Sequence, residues 1–444
     1  MDALLAGRLQ MATSLGFHIV FACIGMVMPF LMAAAHLRYL RTGQDLYRDL
    51  TKAWAKGVAI FFATGAVSGT LLSFELGTLW PGFMRHAGPI IGMPFSLEGT
   101  AFFIEAIALG VFLYGWDRIP RWIHFGSGLV VGISGVLSGI LVVAANAWMN
   151  SPSGFRWVDG QAVDIDPVAA MLNDAWATQA LHMTLAAFAA TGVAVAGIHA
   201  WQLLRRPGHP FHLAALRIAL LFGGVAAFLQ PLSGDLSAKD IARRQPAKLA
   251  AMEAHFHTEA GAALIIGGIP DVERQQVDYA IRIPYALSFL AHGDPNAPVT
   301  GLEEIPREHW PPVVITHFAF QIMVGCGMLM MGLALLYFFF RWKKPQLLQH
   351  RLFLRALALA TPLGMVAVEA GWTVTEVGRQ PWIIYGIMRT AEAITPMPEL
   401  GISFVLTTLV YLALAVIVWW LMTRQITVVN CRYEPQPTGL VSGT

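Results

Sequence analysis

The chain has 444 residues, with 29 Lys and Arg against 27 Asp and Glu, a net charge of +2 and only 13% charged residues. Ordinary soluble domains carry about 25% charged residues, which excludes a water-soluble fold, and so small a net charge offers no surface for nucleic acid. Hydrophobic residues make up 56% and the mean hydropathy is +0.58. They are gathered in long uncharged stretches, several above the roughly 20 residues a helix needs to cross a bilayer.

Lipid offers no partner to backbone N–H and C=O groups, so each apolar stretch is read as a helix. In chain order the windows are 9–37, 57–74, about 94–116, 122–148, 175–204, 218–234, 313–340, about 356–376 and 400–423. The predicted fold is an all-α integral membrane protein with nine transmembrane helices and a long extracytoplasmic loop between helices six and seven. The domain reading is helices one to six over 1–234, the loop over 235–312, helices seven to nine over 313–424 and a cytoplasmic tail over 425–444. The first window far exceeds the 7 to 15 residues of a signal-peptide core and is read as a retained helix. Cys23 and Cys326 lie in apolar stretches and Cys431 in the tail, with no CxxC pair and no disulfide framework.

Short connections on one side of the predicted bundle carry Arg38, Arg41, Arg48, Lys52, Lys56, Arg118, Arg121, Arg205, Arg206, Arg217, Arg341, Lys343, Lys344, Arg351, Arg355, Arg424 and Arg432. Those on the other side carry Arg8, Arg85, Arg156, Arg379 and Arg389. Basic residues prefer the cytoplasm, so the expected orientation is N-terminus outside and C-terminus in the cytoplasm, in a bacterial inner membrane. The connection over 235–312, at roughly 80 residues, is too long for that rule and too long to be idle.

Polar side chains inside lipid are costly and mark function by default. At ~1.5 Å per residue, His18 lies roughly 14 Å below the outer end of the first window. Glu98, Glu105, His182 and Met323 also fall in the outer half, and Glu376 closes the outer end of the eighth window. Imidazole, thioether and carboxylate groups on separate helices suit axial ligation of haem iron in an apolar slot. The residues alone leave alternatives open. A lone histidine can be bonded between helices, Met323 can be packing, and Glu98 with Glu105, seven apart on one helical face, could serve a proton- or cation-coupled transporter.

Gly378-Arg379-Gln380-Pro381-Trp382, preceded by Trp372 and Glu376, resembles the GRQPW signature of subunit I of cytochrome bd-type quinol oxidases. Gln245-Pro246-Ala247-Lys248-Leu249-Ala250-Ala251-Met252-Glu253 is similar to that family's quinol-binding segment. Arg8-Leu9-Gln10 before His18, Glu98-Gly99 with Glu105, and Ile322-Met323-Val324-Gly325 follow the same pattern.

The resemblance implies that His182 and Met323 ligate a low-spin haem b. It implies that His18 and Glu376 serve two high-spin haems, a haem b and a haem d, with a second haem b possible in place of d. Trp372 and Arg379 would contact cofactor, and Glu98, Glu105 and Arg379 would act in catalysis. Lys248 and Glu253 would bind quinol, although an exposed Lys and Glu in a loop would ordinarily be a solvated face.

A short quinol loop is expected, as are ubiquinol or menaquinol and molecular oxygen as substrates. A second large membrane subunit and a very small single-helix subunit are the expected partners, with no nucleic acid. Oxygen would be reduced to water with charge separation and no proton pumping. A quinol-linked membrane cytochrome that does not use oxygen is the nearest rival. Gln321 stands where the family commonly shows Arg, which predicts a lower low-spin haem potential through loss of a positive charge.

Overall fold

The computed structural model describes residues 2–158 and 160–432, the side chains of 427–432 excepted. Its helices are α1 (Ala3–Thr42), α2 (Asp45–Leu79), α3 (Pro81–Tyr114), α4 (Arg121–Asn150), α5 (Pro167–Met171), α6 (Trp176–Arg205) and α7 (Pro210–Arg244), then α8 (Pro246–Glu253) and α9 (Ala286–His292). After the long connection come α10 (Val313–Lys343), α11 (Arg351–Leu359), α12 (Leu363–Val377), α13 (Thr390–Ala393) and α14 (Leu400–Arg432). Among the described residues nine segments are long and apolar enough to cross a membrane, with α11 and α12 together forming the eighth.

The helices overrun the charge-free windows. α2 begins at Asp45 and α7 continues to Arg244, past the expected boundary at 234, while α14 continues past 424 to Arg432. A charge-free window measures hydrocarbon, whereas a helix persists into the interface, where water and side chains satisfy its ends. Residues 433–444 of the predicted tail lie outside the described residues. The eighth span is broken at Ala360–Pro362, where Pro362 cannot donate to the helical ladder.

Small residues let the helices approach closely, the main source of affinity between helices in lipid. An added Cβ at Gly192 of α6 would stand 2.4 Å from the Cα of Gly223 in α7, and one at Gly364 of α12 would stand 2.3 Å from the Cα of Ala190. α6 thus packs tightly on both α7 and α12. α10 also packs on α7 and α12, but it makes no more than glancing contact with α6. α14 rests on α1 and α2 and shows most of its apolar surface outward, including Trp419 and Val416.

Among the described residues strands occur only in the connections. They are β1 (Arg156–Val158) with β2 (Gln161–Val163), β3 (Glu259–Ala260) with β6 (Pro298–Val299), β4 (Leu264–Asp271) with β5 (Gln276–Ile283), and β7 (Trp382–Ile384) with β8 (Met388–Arg389), all antiparallel. The long connection is therefore a packed unit. Ala250, Ala251 and Ala254 of the α8 segment form a core with Phe256, Ile265, Val277 and Leu302, and Met252 packs on Ala319 of α10 and Val374 of α12.

Candidate functional site

His18 and His182 are held in the same way. His18 Nδ1 lies 2.9 Å from Ser68 Oγ of α2, and that hydroxyl donates its own proton to the Thr64 carbonyl at 2.9 Å. With the serine proton on that carbonyl, the hydroxyl accepts from Nδ1–H, an arrangement that suits the tautomer leaving the lone pair on Nε2. His182 Nδ1 lies 3.0 Å from Ser233 Oγ of α7, whose proton reaches the Gln230 carbonyl at 2.8 Å, and 3.3 Å from the Gln230 amide nitrogen. The same amide nitrogen lies 3.2 Å from His182 Nε2, a contact that an incoming metal would have to displace. Gly69 leaves room for the His18 ring, since a Cβ there would stand 3.0 Å from it.

Met323 on α10 lies against Gly371 of α12, where an added Cβ would stand 3.0 Å from its sulfur. On the α3–α4 seam Glu98 accepts from Ser138 Oγ at 2.9 Å, and Glu105, 7% exposed, faces Gly135. The two carboxylates share one face of α3, as their spacing predicts.

Glu376 ends α12 between two donors. Asn146 of α4 bonds one oxygen, and Arg379 Nη2 donates to the other at 2.6 Å. Arg379 is 2% exposed, yet its Nε and Nη1 find no partner among the described residues. A buried guanidinium with unused donors is suited to a further carboxylate, and bidentate pairing is its strongest mode.

Lys248 and Glu253 are each 3% exposed, which overturns the solvated-face alternative for these two residues. They do not converge. Lys248 donates from Nζ to Asn150 Oδ1 at 2.6 Å, and Asn150 donates to the Asn146 carbonyl at 2.9 Å, so its amine joins the Glu376 network. Gln245 reinforces the joint by donating to the Asn150 carbonyl at 2.8 Å. Burial, and then the positive charge of Arg379, hold the Lys248 amine well below the usual lysine range, with Glu376 opposing. Glu253 turns into the loop core with Oε2 unpartnered, and burial pushes its carboxyl up to about 8.

Sequence reasoning missed several participants. Asn146 and Asn150, four apart at the end of an apolar helix, carried a detectable signal, as did Glu369, seven residues before Glu376 inside the same window. Glu369 reaches toward Gly16 of α1, where a Cβ would stand 3.1 Å from its Oε2, and its Oε1 is buried without a partner. Ser68 and Ser233 carried no signal, because serine in a membrane helix ordinarily bonds its own backbone. Gln321 is engaged structurally, donating to the Ile265 carbonyl and accepting from the Gly267 N–H, both at 3.0 Å, and so ties β4 to α10.

Among the described residues no three His, Cys, Asp or Glu side chains converge on one point. Single imidazole, thioether and carboxylate groups on separate helices fit iron that brings its own macrocycle, and the unused Arg379 donors fit its carboxylates. A nine-span helical bundle with intramembrane histidine, methionine and carboxylate side chains defines the class, a polytopic membrane protein. The chain belongs to the cytochrome bd terminal oxidase subunit I family, whose pattern matches residues 6–429. It is 34% identical over 428 residues to the putative cytochrome bd menaquinol oxidase subunit I of Bacillus subtilis, covering 95% of this chain and 96% of that one. It is 30% identical over 440 residues to the cytochrome bd ubiquinol oxidase subunit 1 of the same organism, covering 96% and 94%. The bd oxidase structure from Geobacillus thermodenitrificans is similar with a TM-score of 0.91 and 37% identity, over 98% of this chain and 99% of that one.

Proposed function

We propose that this chain is the haem-carrying, quinol-oxidising subunit of a terminal respiratory oxidase in a bacterial cytoplasmic membrane. The observation that carries the reading is the shared setting of His18 and His182, each with Nδ1 beside a helix serine whose hydroxyl also reaches a backbone carbonyl, an arrangement suited to the tautomer whose Nε2 binds iron. His182 and Met323 would hold a low-spin haem b. His18 and Glu376 would each hold a high-spin haem, one haem b and either a haem d or a second haem b. When bound, these haems supply electron transfer and the reduction of oxygen to water.

The chain's own residues handle charge and protons. Arg379 pairs Glu376 and keeps two donors for a cofactor carboxylate, and Trp372 lies one helical turn from Glu376 on α12. Oxidation of a quinol releases two protons and two electrons. Glu253, whose carboxyl ionises near neutral pH, accepts a proton from a quinol hydroxyl and passes it to the loop side. Lys248, tied through Asn150 to the Glu376 network, links the quinol segment to the ligand region. Glu98 and Glu105 carry protons along the α3–α4 seam in the opposite sense. With the N-terminus and the long loop outside, protons leave on one face and are drawn from the other, which separates charge without a pump. Quinol, as ubiquinol or menaquinol, and oxygen are the substrates, and a second large subunit and a very small one complete the complex.

Optical and pyridine haemochrome spectra of the purified complex test this reading. Met323→Leu is expected to remove the low-spin spectrum while leaving the high-spin bands. A colourless wild-type complex, or an unchanged spectrum in the variant, overturns it.

A further inference from the structure

The opposite end of the bundle holds a cleft of about 340 Å³ between α1, α7 and α10, far from the candidate site. That volume lies in the range of small-molecule sites, roughly 300 to 1,000 Å³. Its rim carries three guanidinium groups from three helices: Arg38 of α1, Arg217 of α7 and Arg341 of α10. No carboxylate among the described residues pairs with any of them. Arg341 Nη1 donates to the hydroxyl of Tyr337 at 3.0 Å, and this fully buried tyrosine donates in turn to the Arg217 carbonyl at 3.3 Å, so α7 and α10 are locked where the rim forms. The Arg38 guanidinium lies 5.9 Å from the centre of the Tyr47 ring.

The cleft is layered. α1 and α10 end at this face and α7 begins there, so one helical turn deeper than each arginine lies Ala34, Tyr337 and Leu221 respectively. About 6 Å further along each helix the lining is apolar apart from the Tyr337 hydroxyl. Leu221 is 42% exposed, so the floor opens sideways to where lipid would lie. Arg38 and Arg341 are near helix C-termini, where the backbone dipole favours a cation, but Arg217 lies two turns into α7 and gains nothing from that effect.

We infer that this cleft binds one phospholipid with an anionic headgroup, the phosphate held by Arg38, Arg217 and Arg341 and the first acyl carbons resting on the floor beside Leu221 and Phe222. Guanidinium groups pair phosphate oxygens bidentately, and basic pockets between spans at an anionic leaflet are suited to such headgroups. A free inorganic anion would satisfy the rim and leave the floor unused. The inference concerns the arginine-rich end alone and does not depend on the haem assignments.

The test is native mass spectrometry of the purified complex, titrated with phosphatidylglycerol, with phosphatidylcholine, or with phosphatidylglycerol against inorganic phosphate. One phosphatidylglycerol should bind in preference to phosphatidylcholine and resist displacement by phosphate. Each charge near an anionic surface contributes on the order of a fivefold affinity change, so R38Q/R217Q/R341Q should weaken binding on the order of a hundredfold. R38K/R217K/R341K should recover most of it, and an unchanged haem spectrum in both variants would show that the bundle is intact. Equal binding of both lipids, displacement by phosphate, undiminished affinity in the glutamine variant, or a wild-type complex that takes up no lipid because a subunit fills the cleft would each overturn the proposal.

Discussion

Glu253→Gln is expected to stabilise the long connection in a pH-dependent way while suppressing quinol turnover. The carboxyl is raised from 4.5 to about 8 by burial, so the folded loop binds the proton more tightly than the unfolded loop. Between those two values the native state carries more protons, and stability falls as pH rises, the reverse of a salt-bridged carboxylate. At pH 7 the difference from 4.5 corresponds to about 3 kcal/mol at 1.36 kcal/mol per pH unit. Near pH 4.5 it vanishes, and above pH 8 it reaches its full value. Glutamine keeps the shape without the charge and removes the slope.

Hydrogen exchange of the α8 amides, corrected for intrinsic pH effects, reads the difference. Protection in the variant should exceed wild type on the order of 100-fold at pH 7 and match it near pH 4.5, with quinol oxidation lost and oxidation of an artificial donor retained. If wild-type and variant protection run parallel from pH 5 to 8, the carboxylate ionises without cost and the proposed proton acceptor is misassigned.

Three further outcomes follow from the packing. Ser68→Ala removes the hydroxyl beside His18 Nδ1, and if His18 holds a haem as proposed, loss of such a supporting partner should lower affinity for its iron about 10- to 100-fold, read as the haem-to-protein ratio after dilution. Asn150→Ala leaves the Lys248 amine buried without its acceptor and should cost about 1–3 kcal/mol, whereas adding Lys248→Met should recover most of that loss in a double-mutant cycle. Gly192→Val forces α6 from α7 at a backbone contact and should destabilise by about 1–3 kcal/mol or more, seen in thermal unfolding together with loss of the low-spin spectrum.

The amino-acid sequence by itself determined the number of spans, which of them carry His18, His182, Met323 and Glu376, and the segments that carry the family resemblance. These are local properties: transfer of a side chain into hydrocarbon costs or gains energy residue by residue, so a one-dimensional pattern is enough to read them. The tertiary structure decided which groups meet. His18 reaches its serine partner 50 residues away, and Lys248 meets Asn150 across 98 residues, which removes it from a pair with Glu253 and places it in the Glu376 network. It also decided that the loop is a packed unit whose two charged candidates are buried, and that three arginines from separate helices share one cleft. A hydrogen-bond partner is chosen by geometry after helices dock through their small residues, and that choice leaves no periodic trace in the chain.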